Sequence, residues 1–393
     1  MQWRLGATGA ILYNALPVGL MKQITMAQKK KDCDSKRLRS VRDEIDRLDE
    51  QIQELISRRA GLAFQIRESK GKFTNAVDYY RPEREAEVLR SIIRRNKGPL
   101  SDAEMIRLFR EIMSACLAQQ EALKVAYLGP EGTFTQQAVH RHFGHSVHAL
   151  SYGGIDSVFE QVQSAEADFG VVPVENSSQG IVNHTLDMFL ISDLKICGEI
   201  ELRVHQNLLT HARSLDHIER VYSHEQSLSQ CKVWIKGYLP HAELIAVGSN
   251  AEAARRVRNA PEAAAIAGRS AAEIYGLPVL FANIEDRADN TTRFLVIGRK
   301  PSGPLSGGLD KSSYVFSLND KPGALLYALE PFSSRKINLT KIESRPSKKK
   351  AWDYFFFADI IGHNDDPKVR EAITELEQRC PFVKWLGSYP ATV

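Results

Sequence analysis

Apolar residues near the start of the chain recur at alternating steps of three and four residues. The stripe consists of Leu38, Val41, Ile45, Leu48, Ile52, Leu55, Leu62 and Ile66. This spacing predicts one apolar face along a long helix. Arg59 interrupts the face, and Lys70 follows further along at an angle within roughly 20° of it.

A guanidinium buried without a partner costs several kcal/mol. The groove that Arg59 faces is therefore expected to contain an anion. Two cations on one face favour a dicarboxylate ligand. The alternative is that Arg59 pairs with a glutamate of a neighbouring helix while Lys70 reaches water.

Residues 36–122 carry a helical pattern throughout, with a break at 71–80. A second helix is expected to begin at Arg81-Pro82, and a third at a capping box formed by Ser101 and Glu104. Three helices of this size cannot enclose a core alone, so a second copy of the chain is the economical partner for the long stripe. We therefore predict a homodimer or a higher homo-oligomer.

Residues 124–300 change to short β-rich runs that alternate with helical segments, which predicts an α/β domain with a largely parallel sheet. The predicted strands are 125–128, 169–174, 221–223 and 294–297. The expected helix starts are Thr135, 177–180, Ser223 with Gln226, and Ser249 with Glu252. Ligands bind in such domains where strand ends meet helix N-termini, because free backbone N–H groups there attract anions.

A stretch rich in Gly, Ser and Pro, residues 301–310, is typical of a linker. The pattern beyond it predicts strand, helix, strand, strand, helix and strand. These elements are expected at 314–318, 323–333, 339–344, 354–361, 368–379 and 383–388. This order is that of the ferredoxin-like split βαβ unit.

Charge is unevenly distributed along the 393 residues. The formal net charge is +4, and residues 1–40 alone contribute +6, which leaves the remainder at −2. A body without clustered cations argues against nucleic acid as a partner. Five widely spaced cysteines suit a reducing cytoplasm.

The apolar stretch 5–21 is broken by Asn14, Pro17 and several glycines, so it is too weak for a membrane span. A signal peptide is the less favoured interpretation. Residues 1–35 are expected to be a disordered leader, or the result of a start assigned upstream of Met21 or Met26.

Six motifs resemble those of one family. They are GPEGTF from Gly129, VVPVENS from Val171, YSH from Tyr222 with Gln230, NTTRF from Asn290, PGAL from Pro322 and ESRP from Glu343. Together with the order of the segments, they resemble the bifunctional chorismate mutase–prephenate dehydratases of phenylalanine synthesis, over roughly residues 36–390.

The resemblance implies a multidomain fold. Its parts would be an all-α chorismate mutase helical domain at 36–122, an α/β periplasmic-binding-protein-like prephenate dehydratase domain at 124–300, and an α+β ferredoxin-like ACT regulatory domain at 311–390. The implied function is conversion of chorismate to prephenate and of prephenate to phenylpyruvate, regulated by phenylalanine, in a cytoplasmic enzyme without a cofactor.

The chorismate site implied by the resemblance consists of Arg42, Arg59, Lys70, Arg81, Arg84, Glu85, Cys116 and Gln120. Arg59 would bind one carboxylate, and Arg42 of the partner subunit would bind the other. Lys70 and Gln120 would donate to the ether oxygen. The family often has Asp at position 81 and Ser at position 116. Glu85 would then hold the substrate hydroxyl alone, with weakened or retuned chorismate binding.

The implied prephenate site consists of Thr133, Glu175, Asn176, Ser177, Ser223, Gln230, Thr292, Arg293 and Phe294. Thr292 matches the family's essential residue, and we interpret it as a positioned donor or relay to the leaving hydroxyl, with Glu175 or water completing the path. Arg293 could neutralise a carboxylate or be a surface cation. Ser223 could bind substrate or cap a helix, and Asn176 could bind a carboxylate or close an Asx turn.

The implied phenylalanine site consists of Gly323, Ala324, Leu325, Glu343, Ser344, Arg345 and Pro346. Four histidines at 140, 142, 145 and 148 lack the accompanying ligands of a metal site, so none is predicted. Two alternatives stay open. One is a prephenate dehydratase whose helical domain only dimerises, and the other is a non-catalytic amino-acid-sensing binding protein.

Overall fold

The computed structural model describes residues 18–119, 121–178, 180–306, 309–346 and 354–391, except 71–79, and side chains only from residue 35 and not at 66–70. The chain divides into two compact units, Met1–Leu62 and Ala63–Val393. Helix α1 begins at Val18, so the predicted leader is helical from that residue onward. Among the described residues, no helix combines the length and hydropathy that crossing a bilayer requires.

Within the described residues of the N-terminal segment there are three helices, as predicted. They are α1 (Val18–Lys70), α2 (Pro82–Arg95) and α3 (Asp102–Ala118). The capping box at the start of α3 is confirmed, since the Ser101 hydroxyl accepts from the Glu104 backbone N–H at 3.3 Å. The described side chains of the α1 stripe are solvent-exposed in the single chain, with Leu55 63% exposed.

The first sheet of the α/β region has the order β2-β1-β3-β11-β5, with β4 paired to β3. Its strands are β1 (Lys124–Leu128), β2 (His148–Tyr152), β3 (Phe169–Asn176), β4 (Gly180–Ile181), β5 (Lys195–Arg203) and β11 (Thr291–Gly298). Its helices are α4 (Phe134–Phe143), α5 (Ile155–Gln163) and α6 (Asn183–Ile191).

The second sheet has the order β10-β6-β9-β7-β8. Its strands are β6 (Asn207–Leu209), β7 (Arg220–Ser223), β8 (Glu243–Ala246), β9 (Ala263–Ala267) and β10 (Val279–Phe281). Its helices are a 3₁₀ turn (Leu215–His217), α7 (Glu225–Gln230), α8 (Lys232–Tyr238), α9 (Asn250–Val257) and α10 (Arg269–Tyr275).

The prediction of one largely parallel sheet is wrong, because there are two mixed sheets. β1 is parallel to β2 and β3, but β11 is antiparallel to β3 and β5. The chain leaves the first sheet after β5 and returns to it as β11. The returning strand β11 runs in the direction opposite to β5. The two sheets are therefore two lobes connected by two crossings.

Two predicted helix starts are also wrong. Ser177 and Ser178 lie in a turn, Gly180 belongs to β4, and α6 begins only at Asn183. The N-cap of α7 is His224 rather than Ser223, because the His224 ring accepts from the Gln226 backbone N–H. The capping box of Ser249 with Glu252 is confirmed at 3.0 Å.

The last domain has the predicted order of elements. They are β12 (Asp310–Ser317), α11 (Ala324–Ser334), β13 (Leu339–Pro346), β14 (Tyr354–Ile361), α12 (Pro367–Arg379) and β15 (Phe382–Pro390). The sheet order β13-β14-β12-β15 is fully antiparallel and ferredoxin-like.

One hydrophobic core joins this sheet to the first sheet. Val172 and Leu295 of the first sheet share a buried cluster with Phe357 and Leu386. The two sheets also approach each other closely at Gly387, where an added Cβ would lie 2.3 Å from a backbone oxygen of β5. The last domain is therefore packed directly on the first lobe.

Candidate functional site

A buried polar pair lies where β3 ends and β11 begins. Asn176 and Thr292 are direct partners in the antiparallel register, and both are less than a tenth exposed. The Asn176 Nδ2 donates to the Thr292 Oγ1 at 2.8 Å. The Asn176 Oδ1 accepts from the Ser178 backbone N–H at 3.0 Å, which fixes the orientation of the amide and closes an Asx turn.

Asn290 extends this cluster. Its Oδ1 accepts from the Asn176 Nδ2 at 3.0 Å and from the hydroxyls of Ser177 and Ser178 at 3.4 and 3.3 Å. Its Nδ2 is buried and has no hydrogen-bond partner among the described residues. A buried donor without a partner is costly, so this amide is suited to a polar ligand.

A second polar cluster lies in the other lobe. The Ser223 hydroxyl donates to the Ile266 backbone carbonyl at 2.7 Å. Gln206 donates to Ser227 at 2.9 Å and to the Gln230 Oε1 at 3.3 Å, while the Gln230 Nε2 is buried without a partner among the described residues. The Ser223 hydroxyl also lies 3.0 Å from the Asn250 Oδ1, and Asn250 donates to Ser227. The predicted residues Ser223 and Gln230 therefore belong to one cluster of amides and hydroxyls.

Sequence reasoning missed three members of these clusters in the second lobe. Gln206 and Ser227 contact each other directly, and the Asn250 Nδ2 donates to the Ser227 hydroxyl at 2.8 Å. The only available signal was that Asn250 follows the N-cap of α9. Buried amides are otherwise recognisable only from the folded chain.

Glu175 and Arg293 have partners in the last domain. The Lys341 Nζ lies 2.5 Å from the Glu175 Oε2. The Arg293 guanidinium contacts Asp359 at 2.7 Å, and it also donates to Glu199 and to the Tyr389 hydroxyl. Their assignment to prephenate stays a prediction, as does that of Phe294, which lies in the hydrophobic core.

Burial and charge act oppositely on Arg293. Burial lowers the pKa of the guanidinium, but Tyr389, Asp359 and Glu199 raise it more, so the net pKa lies above its ordinary value. The side chain is only 14% exposed. Arg293 is therefore a permanent buried cation and not the surface cation that the sequence left open.

Thr133 lies at the N-terminus of α4. Its hydroxyl accepts from the Gln136 backbone N–H, and the Gly132 N–H donates to the Gln136 Oε1 at 2.6 Å. Gly132 has φ +86°, a conformation that favours glycine. The motif thus has a clear structural role, and its contact with prephenate stays a prediction.

The structure describes only some of the residues that were predicted to bind chorismate. Glu85 is paired with Arg110 of α3 at 3.3 Å and is 16% exposed, and burial raises the pKa of its carboxyl. Arg84 is largely exposed and pairs with Glu87. The Lys70 side chain and Gln120 lie outside the described residues.

Four further residues that were predicted to bind chorismate lie within the described part of the chain. Arg81 is the exposed N-cap of α2, and Cys116 is buried in α3. Arg42 and Arg59 lie on α1 within the other compact unit. The roles of all these residues in chorismate binding stay predictions.

The predicted effector residues lie at the start of α11 and along β13. Gly323 has φ +79° at the N-cap of α11, with Ala324 and Leu325 in the first turn. Ser344 and Pro346 are exposed on β13, while Glu343 and Arg345 are turned inward. Arg345 forms a two-pronged ion pair with Asp187 of α6.

Two of the four histidines contact each other. His140 and His145 stack at 4.6 Å, and His145 also pairs with Glu111. His142 contacts the Tyr80 hydroxyl at 3.1 Å. Among the described residues, no group of His, Cys, Asp and Glu is arranged to hold a metal ion.

Three family models match consecutive parts of the chain. They are chorismate mutase type II at residues 41–121, prephenate dehydratase at 125–302 and the ACT domain at 314–378. The bifunctional chorismate mutase/prephenate dehydratase of Stutzerimonas stutzeri is 51% identical over 91% of this chain and 98% of its own length. The chain belongs to this bifunctional family.

A second relative, the bifunctional chorismate mutase/prephenate dehydratase of Pseudomonas aeruginosa, is 50% identical over 92% of this chain and 99% of its own length. A crystal structure of the prephenate dehydratase of Arthrobacter aurescens in complex with L-Phe is similar, with 34% identity and a TM-score of 0.64. It covers 68% of this chain and 90% of that chain. The predicted family, fold class and pair of enzyme activities are thereby confirmed, and the exact domain boundaries stay predictions.

Proposed function

We propose that this protein rearranges chorismate to prephenate and then converts prephenate to phenylpyruvate, under inhibition by phenylalanine. For the second reaction, the observation that supports this assignment best is the buried pair of Asn176 and Thr292. The near full-length similarity to bifunctional relatives supports the assignment of both successive reactions to this one chain.

The first reaction is pericyclic and requires no nucleophile. One C–O bond breaks while one C–C bond forms, so the protein contributes by selecting the reactive conformer and by stabilising charge on the ether oxygen. Arg42, Arg59, Lys70 and Gln120 supply the donors in this proposal. Glu85, held by Arg110, accepts from the substrate hydroxyl.

The second reaction breaks two bonds of the prephenate ring. The C–C bond to the ring carboxylate breaks and releases carbon dioxide, and its electron pair makes the ring aromatic as the C–O bond to the hydroxyl breaks. The departing hydroxide takes up a proton and leaves as water. The difficult step is the loss of hydroxide, which a positioned donor assists.

The hydrogen bond from Asn176 supports the proposal that Thr292 is that donor. Because the Asn176 amide donates to the Thr292 Oγ1, the hydroxyl hydrogen of Thr292 is directed elsewhere. Among the described residues, the hydrogen bond from Asn176 is the one side-chain hydrogen bond of this hydroxyl, and in it the oxygen accepts. In this proposal the hydroxyl hydrogen points to the leaving hydroxyl of prephenate.

We further propose a cytoplasmic homodimer or higher oligomer. The exposed stripe of α1 supports an oligomer, because a row of half-exposed leucine and isoleucine side chains is stabilised by a second copy. Phenylalanine is the proposed effector because the ACT domain is present and a similar dehydratase was crystallised with L-Phe. By linkage it inhibits if it favours a state that binds prephenate less well.

One assay tests the function. Purified protein is given chorismate, and prephenate and phenylpyruvate are followed over time, with and without phenylalanine. Both products are expected in succession. If chorismate yields neither prephenate nor phenylpyruvate while added prephenate is still dehydrated, the helical domain only dimerises.

A Thr292→Val variant separates the two sites. It is expected to abolish phenylpyruvate formation and to leave the mutase rate intact, since valine has the same shape without the hydroxyl. Thr374→Val, at an exposed position of α12, is the matched control. Equal loss of both activities in the Thr292 variant would indicate misfolding.

A further inference from the structure

Two neighbouring pairs of residues on β3 and β11 face opposite sides of the first sheet. Asn176 is the register partner of Thr292, and Glu175 is the register partner of Arg293. Successive side chains of a strand alternate between the two faces of the sheet. The pair beside the proposed donor therefore faces away from it.

The packing of β11 defines the two faces. Phe294 shares a buried cluster with Val139 of α4, whereas Leu295 shares a cluster with Phe357 of β14. Thr292 is two residues before Phe294, and Arg293 is two residues before Leu295. Arg293 thus lies on the face that the ACT domain covers.

Both members of the second pair are held by ACT residues. Arg293 contacts Asp359 of β14 at 2.7 Å and the Tyr389 hydroxyl of β15 at 3.1 Å. Glu175 contacts Lys341 of β13 at 2.5 Å. Arg293 and Asp359 are 14% and 11% exposed, so their ion pair is largely shielded from water, whereas Glu175 is 39% exposed.

We propose that Asp359 and Lys341 of the ACT domain are positioning residues for prephenate dehydration, acting through Arg293 and Glu175 on the hydroxyl of Thr292. The two ion pairs fix the ends of β3 and β11 one residue away from the hydrogen bond between Asn176 and Thr292. A donor must be placed within a fraction of an ångström of the leaving group, so a small shift of either strand end lowers the rate.

The same ACT strand connects this arrangement to the proposed effector site. Lys341, Glu343 and Arg345 are alternate residues of β13 and are turned toward the first lobe. Glu343 lines a cavity of about 30 Å³ together with Arg293 and Lys341. Arg345 pairs with Asp187 in the same lobe. A change in the position of β13 would therefore reach Arg293 and Glu175 directly.

The proposal rests on the proposed role of Thr292, and it differs from the assignment of Arg293 to a substrate carboxylate. The two assignments predict different kinetics. Loss of a substrate contact raises KM for prephenate, whereas loss of positioning lowers kcat and leaves KM nearly unchanged.

The test uses the full chain with prephenate as substrate and mutase turnover as an internal control for folding. Lys341→Gln and Asp359→Asn remove one charge each on the ACT side. Each is expected to lower the kcat of dehydration about tenfold, with KM for prephenate within about twofold of the wild type and mutase turnover unchanged. Lys341→Arg retains the ion pair with Glu175 and is expected to retain kcat.

The matched control is Glu375→Gln, which removes an ion pair with Arg335 inside the ACT domain and away from the first lobe. It is expected to leave both activities unchanged. If Asp359→Asn fails to fold, Lys341→Gln decides the question, because the Lys341 ammonium lies closer to the surface.

Two results would overturn the proposal. One is normal kcat in Lys341→Gln together with normal mutase turnover. The other is a large rise in KM at unchanged kcat, which would place these charges in substrate binding. A wild-type protein without dehydratase activity would instead refute the proposed function, so the two failures are distinguishable.

Discussion

Asn176 donates a 2.8 Å hydrogen bond to the hydroxyl of Thr292 across two antiparallel strands. The direction of this bond matters, because it leaves the hydroxyl hydrogen of Thr292 for another acceptor. The backbone N–H of Ser178 holds the other end of the amide, so Asn176 cannot rotate without losing a contact.

Asn176→Asp is expected to lower the dehydratase kcat by about two orders of magnitude. A carboxylate cannot donate to Thr292 and instead accepts its hydrogen, which is then no longer available to the leaving hydroxyl. The measurement is steady-state dehydration of prephenate, with mutase turnover measured in the same preparation. An Asp variant with wild-type kcat would show that the direction of this bond is unimportant.

Arg110→Gln is expected to shift the pH dependence of the mutase. Burial raises the pKa of the Glu85 carboxyl, and Arg110 lowers it again. Without the guanidinium the pKa of Glu85 rises further, so the carboxylate needed for the substrate hydroxyl is lost at a higher pH. The acidic limb of kcat/KM for chorismate is expected to move up by about one pH unit.

The control for this variant is Arg107→Gln, one turn earlier on α3, where the side chain is exposed and pairs only with Glu104 among the described residues. Its pH profile is expected to match that of the wild type. Identical profiles for all three proteins would remove Glu85 from the acidic limb.

His142 is expected to make folding stability sensitive to mild acid. Burial lowers the pKa of His142 to about 3, whereas an unfolded histidine titrates near its ordinary value of about 6.5. Between these values the unfolded chain binds more protons than the folded chain, so stability rises with pH. His142 alone should reduce the free energy of unfolding by about 2 kcal/mol at pH 5 relative to pH 7.

Urea unfolding at pH 5 and pH 7 measures this effect. His142→Gln is expected to reduce the difference between the two pH values by about 2 kcal/mol. His148→Gln, at an exposed position on β2, is the matched control and should behave as the wild type. An unchanged difference in His142→Gln would mean that another group causes the acid sensitivity.

The secondary structure followed closely from the sequence where apolar periodicity and capping residues agreed. Strand β14 was predicted at the residues where it occurs, and the capping boxes at Ser101 and Ser249 are present. Ser223 was misassigned because a serine three residues before a glutamine matches the capping pattern, while the fold directs its hydroxyl to Ile266.

The sequence did not predict which face of the first sheet the side chains of Glu175 and Arg293 occupy. A polar residue at a strand end indicates a site near that end, but it does not indicate which face of the sheet it occupies. That face was decided by the packing of β14 and β15, which are more than 60 residues further along the chain than Arg293. Gln206 and Asn250 were missed because their contact with Ser227 joins residues more than 20 positions apart in the sequence.

Gly387 is expected to be essential for the contact between the ACT domain and the first lobe. Its φ of +149° disfavours other residues, and a Cβ would lie 2.3 Å from the Ile196 carbonyl oxygen and 2.6 Å from its nitrogen. Both atoms belong to backbone that is held in β5, so neither can move cheaply. Gly387→Ala should therefore lower the free energy of unfolding by about 3 kcal/mol.

Thermal and urea unfolding of the full chain measure the loss. Gly237→Ala is the matched control, because an added Cβ there meets no atom within 4 Å and the residue lies in helix α8. Alanine at that position should be neutral or stabilising by about 0.5–1 kcal/mol. If Gly387→Ala were as stable as Gly237→Ala, β15 would not be packed against β5 as closely as described, and the route from the ACT domain to Arg293 would lose its rigid support.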